Sequence, residues 1–106
     1  MKPINVGLLG IGTVGSGTWD VLQRNASEIE RRAGRAIQIT MVADKDVTKA
    51  LAIVKKQARV VADGFSLVRD KSIDIVVELV GGYGVTKALV LEAIGNGKHV
   101  VTANKA

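Results

Sequence analysis

The feature that most constrains this chain is a glycine-rich turn between a predicted buried strand and a predicted helix. An apolar run over residues 4–9 indicates the strand, and glycines follow at the G-x-G-x-x-G positions Gly10, Gly12 and Gly15. The first glycine allows a tight turn, the second lets a pyrophosphate approach the backbone, and the third lets the helix pack closely on the strand. The unpaired N–H groups and the positive dipole end of the helix would then face the phosphates. The pattern predicts a dinucleotide-binding turn, and the alternative is a glycine-rich turn that binds nothing.

Strand-like and helix-like segments alternate along the rest of the chain. Strands are predicted over residues 4–9, 37–43, 59–62, 73–80 and 99–103, and a turn is predicted at Asp63-Gly64. The first predicted helix runs from the glycine turn to about residue 33, and the second from a cap at Asp46 or Thr48 to about residue 55. Two further helices are predicted over residues 65–71 and 85–94. With right-handed crossovers, this alternation predicts an α/β fold with a doubly wound parallel sheet, a Rossmann-type NAD(P)-binding domain. The length of 106 residues fits one dinucleotide-binding domain over residues 1–106.

The first and last helices carry apolar residues that are predicted to face the core. In the first helix the predicted stripe consists of Val14, Thr18, Val21, Leu22, Asn25 and Ile29. In the last helix the core candidates are Ala88, Leu89, Leu91 and Ile94.

The composition excludes several functional classes. Cysteine is absent and His99 is the single histidine, so neither a disulfide framework nor a zinc cluster is expected, and no metal site is predicted. The net charge is +5, but the basic residues are dispersed and aromatic residues make up only 3%, so we do not expect a nucleic-acid partner. The positive charge also suits a phosphate-rich dinucleotide. No signal-peptide pattern or membrane-spanning apolar run is seen, so we expect a cytoplasmic protein without membrane contact.

Ligands of doubly wound sheets bind beyond the carboxyl ends of the strands, so the residues that follow the strands should converge. Those residues are Gly10 to Gly15, Asp44 and Lys45, Gly81, Gly82 and Tyr83, and Asn104 and Lys105. Asp44 would accept hydrogen bonds from the 2′-hydroxyl of the adenosine ribose, which favours NAD, although it could instead be a turn or cap residue. Lys45 could neutralise a 2′-phosphate, which favours NADP, although it could simply be solvated. The choice between NAD and NADP therefore stays open.

The two later strands end in further candidates. Gly81 and Gly82 would let the backbone run beside a flat ring or a ribose. Glu78 lies within an apolar run, so we expect its carboxylate to face the crevice or to find a donor. Lys105 could hold a substrate carboxylate or an oxygen that undergoes hydride chemistry, and the alternative is a solvated lysine. His99 begins a strand away from the crevice and is expected to be structural.

Three segments resemble the N-terminal NAD(P)-binding domain of homoserine dehydrogenases. They are GLLGIGTVGSG over residues 7–17, VELVGG over residues 77–82 and GKHVVTANKA over residues 97–106. The last is the most specific, because Thr-Ala-Asn-Lys after a fifth strand is hard to obtain by chance. The resemblance spans essentially the whole chain but only the cofactor-binding part of such an enzyme.

The resemblance implies an NAD(P)-dependent enzyme that interconverts homoserine and aspartate 4-semialdehyde, on the branch to threonine and methionine. It implies that Gly10 to Gly15 hold the pyrophosphate, with backbone N–H groups of Thr13 and Val14. It also implies that Lys45 lies near the adenosine ribose and that Gly81 and Gly82 flank the nicotinamide-side ribose. Lys105 would be a catalytic residue at the nicotinamide and substrate end. In the family the other catalytic lysine, the substrate-binding acids and the dimer interface lie further along. We therefore expect the parent to be a homodimer or larger, and this chain alone to bind cofactor without turning over substrate.

Two other interpretations remain open on the sequence. One is the nucleotide-binding half of a different two-domain oxidoreductase, such as a sugar or aspartate dehydrogenase. Those enzymes usually have Glu-Lys-Pro after the Gly-Lys-His-Val run, where this chain has Ala-Asn-Lys over residues 103–105. The other is a stand-alone NAD(P)-sensing module whose output is contact with another protein.

Overall fold

The computed structural model describes residues 2–11, 15–79 and 85–102, although not the side chains of Gly15, Ser16, Thr18 and Val85. The elements in chain order are β1 (Ile4–Leu9), α1 (Gly15–Ala33), β2 (Ile37–Ala43), α2 (Val47–Val54), β3 (Arg59–Val61), α3 (Gly64–Val68), β4 (Ile75–Glu78), α4 (Val85–Gly95) and β5 (His99–Thr102).

The strands form one parallel sheet in the order β3-β2-β1-β4-β5. The chain winds outward from β1 through β2 to β3, and then crosses to β4 on the other side of β1. The winding therefore reverses between β1 and β4, which is the switch point of a doubly wound sheet. The predicted fold class is confirmed.

Alternating residues of the central strands enter two separate cores. Leu8 and Val42 pack with α1 and α2 on one face, whereas Leu9 and Val76 pack with α3 and α4 on the other. Because both faces are covered, the strands are apolar almost throughout, as expected for a parallel sheet. Complete burial of side chains such as Leu8 contributes about 1.5–3 kcal/mol each.

The predicted core face of α1 is wrong except at Leu22, which packs against the core. Trp19 and Ala26 are buried and Leu22 is half-buried, whereas Val21 and Ile29 are 45% and 49% exposed. Residues 19, 22 and 26 share one helix face, and the large Trp19 ring takes the place in the core. Of the remaining predicted stripe, Asn25 is exposed, and Val14 and the side chain of Thr18 lie outside the described residues.

The core face of α4 was only partly predicted. Leu89 and Ala93 are buried one turn apart, whereas Ala88, Leu91 and Ile94 are exposed. Apolar residues surround this helix on all sides, so the sequence pattern gives little basis for choosing its buried face.

Several element boundaries also differ from the prediction: α3 ends at Val68 and not at residue 71, and β3 ends at Val61 and not at residue 62. The predicted turn at Asp63-Gly64 is the start of α3, because Asp63 Oδ1 accepts from the N–H of Phe65 at 2.9 Å and caps the helix.

β4 begins at Ile75 and not at residue 73, because the Ile73 N–H donates within the preceding turn, to the Asp70 carbonyl at 3.2 Å. The Asp74 N–H donates to the Asn5 carbonyl at 2.8 Å, and the Asp74 carboxylate accepts the Asn5 N–H at 2.9 Å.

Candidate functional site

The carboxyl ends of the central strands lie in register. Leu9 pairs with Ala43 of β2 and with Glu78 of β4, and Glu78 pairs with Thr102 of β5. The strands β1, β2, β4 and β5 therefore end at one edge of the sheet. Several predicted site residues in the segments that follow these strands lie outside the described residues, namely Gly12, Thr13, Val14, Gly81, Gly82, Tyr83, Asn104 and Lys105.

The glycine turn begins with a left-handed residue that is fastened to β2. Gly10 has a φ of 82°, a conformation that L side chains rarely adopt, and its N–H donates to the Ala43 carbonyl at 2.7 Å. Ile11 follows with a fully buried side chain. The chain thus turns sharply as it leaves β1, and α1 starts at Gly15, four residues after Ile11.

Asp44 holds this turn through its carboxylate. Its Oδ2 accepts the N–H of Ile11 at 2.8 Å, its Oδ1 accepts the N–H of Asp46 at 2.9 Å, and its own N–H donates to the Val61 carbonyl at 3.0 Å. The side chain therefore ties the glycine turn to the start of α2.

This contact of Asp44 is the functional feature that sequence reasoning missed. The contact with Ile11 joins residues 33 positions apart, and no local pattern encodes it. The bond to Asp46 is a local Asx turn, for which an aspartate two residues before a helix cap is a usable sequence signal.

Lys45 is exposed and lies between two acidic residues, Asp44 and Asp46. Asp46 is the N-cap of α2, because its Oδ1 accepts the N–H of Lys49 at 3.0 Å. This observation confirms one of the two predicted caps and excludes Thr48. An anion beside Lys45 would therefore meet one ammonium group flanked by two carboxylates, which limits how strongly this position can favour a 2′-phosphate.

Glu78 is only 4% exposed and ends β4 next to the switch point. The next residue, Leu79, donates its N–H to the Leu9 carbonyl at 2.9 Å, which keeps the ends of β1 and β4 together. Glu78 has an interaction partner, as expected for a buried carboxylate.

His99 begins β5 at the opposite edge of the sheet, and its N–H donates to the Asp74 carbonyl at 3.2 Å. Within residues 2–11, 15–79 and 85–102, no group of three His, Cys, Asp or Glu residues could hold a metal ion. None of the helices in the described part of the chain is long and apolar enough to cross a membrane.

Comparison with known proteins gives a consistent result. Residues 10–106 match the family model of the NAD-binding domain of homoserine dehydrogenase. The chain is 63% identical over its whole length to the homoserine dehydrogenase of Methylobacillus glycogenes, of which it covers 26%. It is 55% identical to that of Neisseria gonorrhoeae, with 99% of this chain and 24% of the relative covered.

Solved structures give the same picture. The homoserine dehydrogenase of Thiobacillus denitrificans superposes with a TM-score of 0.86 and 55% identity, over 99% of this chain and 24% of that structure. An NAD-binding oxidoreductase of Klebsiella pneumoniae superposes with a TM-score of 0.74 at 26% identity. The chain spans about a quarter of the length of the homoserine dehydrogenases that it matches.

Proposed function

This chain belongs to the homoserine dehydrogenase family, as its NAD-binding domain, and we propose that it holds the dinucleotide across the carboxyl edge of the sheet with the pyrophosphate at the turn between β1 and α1. The observation that carries this placement is the left-handed turn at Gly10, fastened to β2 by the bonds from Gly10 and Ile11. A turn that is held before ligand binding does not need to be ordered by the ligand, which favours affinity.

The start of α1 suits an anion. Its first turn carries no acidic side chain, so no carboxylate competes for the unpaired N–H groups or the positive end of the dipole. The pyrophosphate would bind here through the backbone of Gly12, Thr13, Val14 and Gly15, with Gly12 leaving room for it.

The adenosine ribose would lie at the end of β2, beside Asp44 and Lys45. The Asp44 carboxylate, held by the N–H groups of Ile11 and Asp46, presents fixed acceptors for a 2′-hydroxyl. Lys45 supplies the positive charge that a 2′-phosphate needs. We propose that both NAD and NADP bind, and that Lys45 sets how much of the NADP affinity remains.

The nicotinamide half would lie on the other side of the switch point. Gly81 and Gly82 follow β4, and we propose that their backbone flanks the nicotinamide-side ribose. Lys105 stands three residues after the end of β5 at Thr102, and we propose it as the catalytic residue of this chain. Its ammonium would stabilise negative charge on the substrate oxygen as that charge develops.

For the whole protein we propose the family's reaction, the interconversion of L-homoserine and L-aspartate 4-semialdehyde, in threonine and methionine biosynthesis. When bound, NAD(P) would supply the hydride acceptor for oxidation of the alcohol, which also releases the hydroxyl proton, and the hydride donor for the reverse reduction. The substrate residues and the dimer interface would belong to the parts of the relatives that this chain does not span. We further propose that the whole protein is a homodimer or larger and works in the cytoplasm.

The test is a fluorescence titration of this chain with NADH and NADPH, with an assay of homoserine oxidation on the same sample. We expect saturable binding of both cofactors and no turnover. The Lys45→Ala variant should lose several-fold more affinity for NADPH than for NADH, because only NADPH carries a 2′-phosphate. Absence of binding contradicts the proposed placement, and measurable homoserine oxidation contradicts the assignment of essential groups to the missing part.

A further inference from the structure

A cavity of about 660 Å³ opens at the amino edge of the sheet, on the side opposite the proposed cofactor site. Its wall includes the first residues of three strands, Ile4 of β1, Ile75 of β4 and His99 of β5. The volume falls in the range of small-molecule sites, roughly 300–1,000 Å³. The proposed function uses none of these residues.

The cavity is positively charged. Within the described residues, its lining contains four cationic side chains, Arg35, Arg69, Lys71 and Lys98, and one carboxylate, Asp74. Asp74 is engaged, because its carboxylate accepts the N–H of Asn5. Arg69 is partly neutralised by Glu92, whose carboxylate accepts from its Nε and Nη2 and raises the pKa of the guanidinium.

Lys98 is the buried cation of this cavity. The residue is 8% exposed, and its Nζ donates to the carbonyl oxygens of Asp70 and Ile73 at 2.6 and 2.7 Å. An ammonium group has three N–H donors, so these two carbonyls leave one donor for a further acceptor. The ammonium also interacts electrostatically with the Asp70 carboxylate, and a bound anion would add to this compensation of the buried charge.

The rim supplies further donors. The Arg35 guanidinium donates from Nε and Nη2 to the Lys2 carbonyl at 3.2 and 2.8 Å, which fixes its plane and uses two of its five N–H groups. Lys71 is exposed and also belongs to the lining of the cavity. Pre-oriented guanidinium and ammonium groups are the usual partners of phosphate and carboxylate.

We propose that this cavity is a second binding site, for the phosphate or carboxylate groups of a small oxyanion, with Lys98 as its buried anchor and Arg35 and Lys71 at its rim. The site is independent of the cofactor site, because the two lie at opposite ends of the same strands.

The test is a nuclear magnetic resonance titration of the ¹⁵N-labelled chain with inorganic phosphate and, separately, with citrate. Sodium chloride at matched ionic strength is the control. We expect saturable shifts at the amides of Gly97, Lys98 and His99 with an oxyanion and none with chloride. A response to phosphate alone or to citrate alone identifies the preferred group. Equal shifts with chloride, or shifts confined to Gly10 and Ile11, overturn the proposal.

Two variants sharpen the test. Lys71→Ala should lower the oxyanion affinity about two- to fivefold, as expected for a single exposed charge. The double variant with Arg35→Ala should lower it about tenfold. Lys56→Ala, which removes an exposed lysine outside the cavity, should change nothing. NADH affinity should be the same in all three variants, so a loss of oxyanion binding can be distinguished from a loss of cofactor binding. Unchanged oxyanion affinity in the double variant contradicts the proposal.

Discussion

At the carboxyl edge of the sheet the fixed polar groups are main-chain N–H groups in a short turn, whereas at the amino edge they are the ends of long side chains. The N–H groups of Gly10 and Ile11 are held by the Ala43 carbonyl and the Asp44 carboxylate. At the other edge, Lys98 and Arg35 reach across to backbone carbonyls of distant segments. We propose that the first edge binds the cofactor's phosphates, whereas the second joins loops together and lines the cationic cavity.

From this difference we expect changes in the glycine turn to affect cofactor affinity and changes at Lys98 to affect the stability of the fold. The glycines of the turn have no side chains to pack, so a change at Gly12 should remove ligand affinity and leave the fold intact. The bonds from Lys98 connect the segment before β5 to the loop before β4, so damage there should lower stability first. The predictions below separate these two outcomes.

The largest effect is expected for Gly12→Val. A side chain at this position would fill the space that the pyrophosphate needs, so NADH affinity should fall at least about 100-fold, or ~2.7 kcal/mol. Gly17→Ala is the matched control, because a Cβ at Gly17 of α1 would meet no atom within 4 Å. Fluorescence titration measures both variants, and wild-type affinity in Gly12→Val would show that the pyrophosphate lies elsewhere.

Lys98→Met should act at the other edge by lowering stability. The variant leaves the carbonyls of Asp70 and Ile73 without their donor, so the free energy of unfolding should fall by about 2–4 kcal/mol. Urea denaturation measures the change, with exposed Lys56→Met as control. If the folded variant binds NADH more weakly but is as stable as the wild type, then Lys98 acts on cofactor binding and not on stability, which contradicts the prediction.

Asp44→Ala should have an intermediate effect, because Asp44 joins the turn to α2. Loss of the acceptor for the Ile11 N–H should loosen the turn and weaken NADH about tenfold, equivalent to one hydrogen bond of about 1.4 kcal/mol. Asp46→Ala is the control: it should cost about 1 kcal/mol of stability through the lost α2 cap and leave the turn in place. Equal losses of affinity in both variants would mean that α2, and not the turn, carries the effect.

The smallest effect concerns pH at the amino edge. Two hydrogen bonds from Ser72, from its hydroxyl and its N–H, lower the pKa of Asp70 below its ordinary value of 3.8, with lesser help from Lys98. The folded pKa is the lower one, so this contribution to stability is present above about pH 3.8 and is lost as pH falls through the folded pKa. In Ser72→Ala the pKa should rise toward 3.8, measured by carboxyl chemical shifts, and exposed Ser66→Ala should leave it unchanged.

The sequence was most informative where structure is local. The five strands and their parallel arrangement follow from short-range patterns, and the sheet confirms them. The positions of Asp44 and Lys45 after β2 follow from the same reasoning.

The rest depends on contacts between distant residues. The face of α1 was misplaced because Val21 and Ile29 are apolar yet exposed, and only packing shows that Trp19 takes the core position. The Asp44 bond to Ile11 and the Lys98 bonds join residues far apart in the chain, so no local pattern encodes them. The amino-edge cavity follows from such contacts alone, which is why sequence reasoning did not find it.

The most direct measurement of the central claim is a crystal structure of this chain grown with NADH. We predict electron density for the pyrophosphate against the backbone of residues 10–15, with the adenosine ribose beside Asp44 and the nicotinamide beyond the ends of β4 and β5. An empty carboxyl edge, or cofactor bound at the amino edge, would contradict the account.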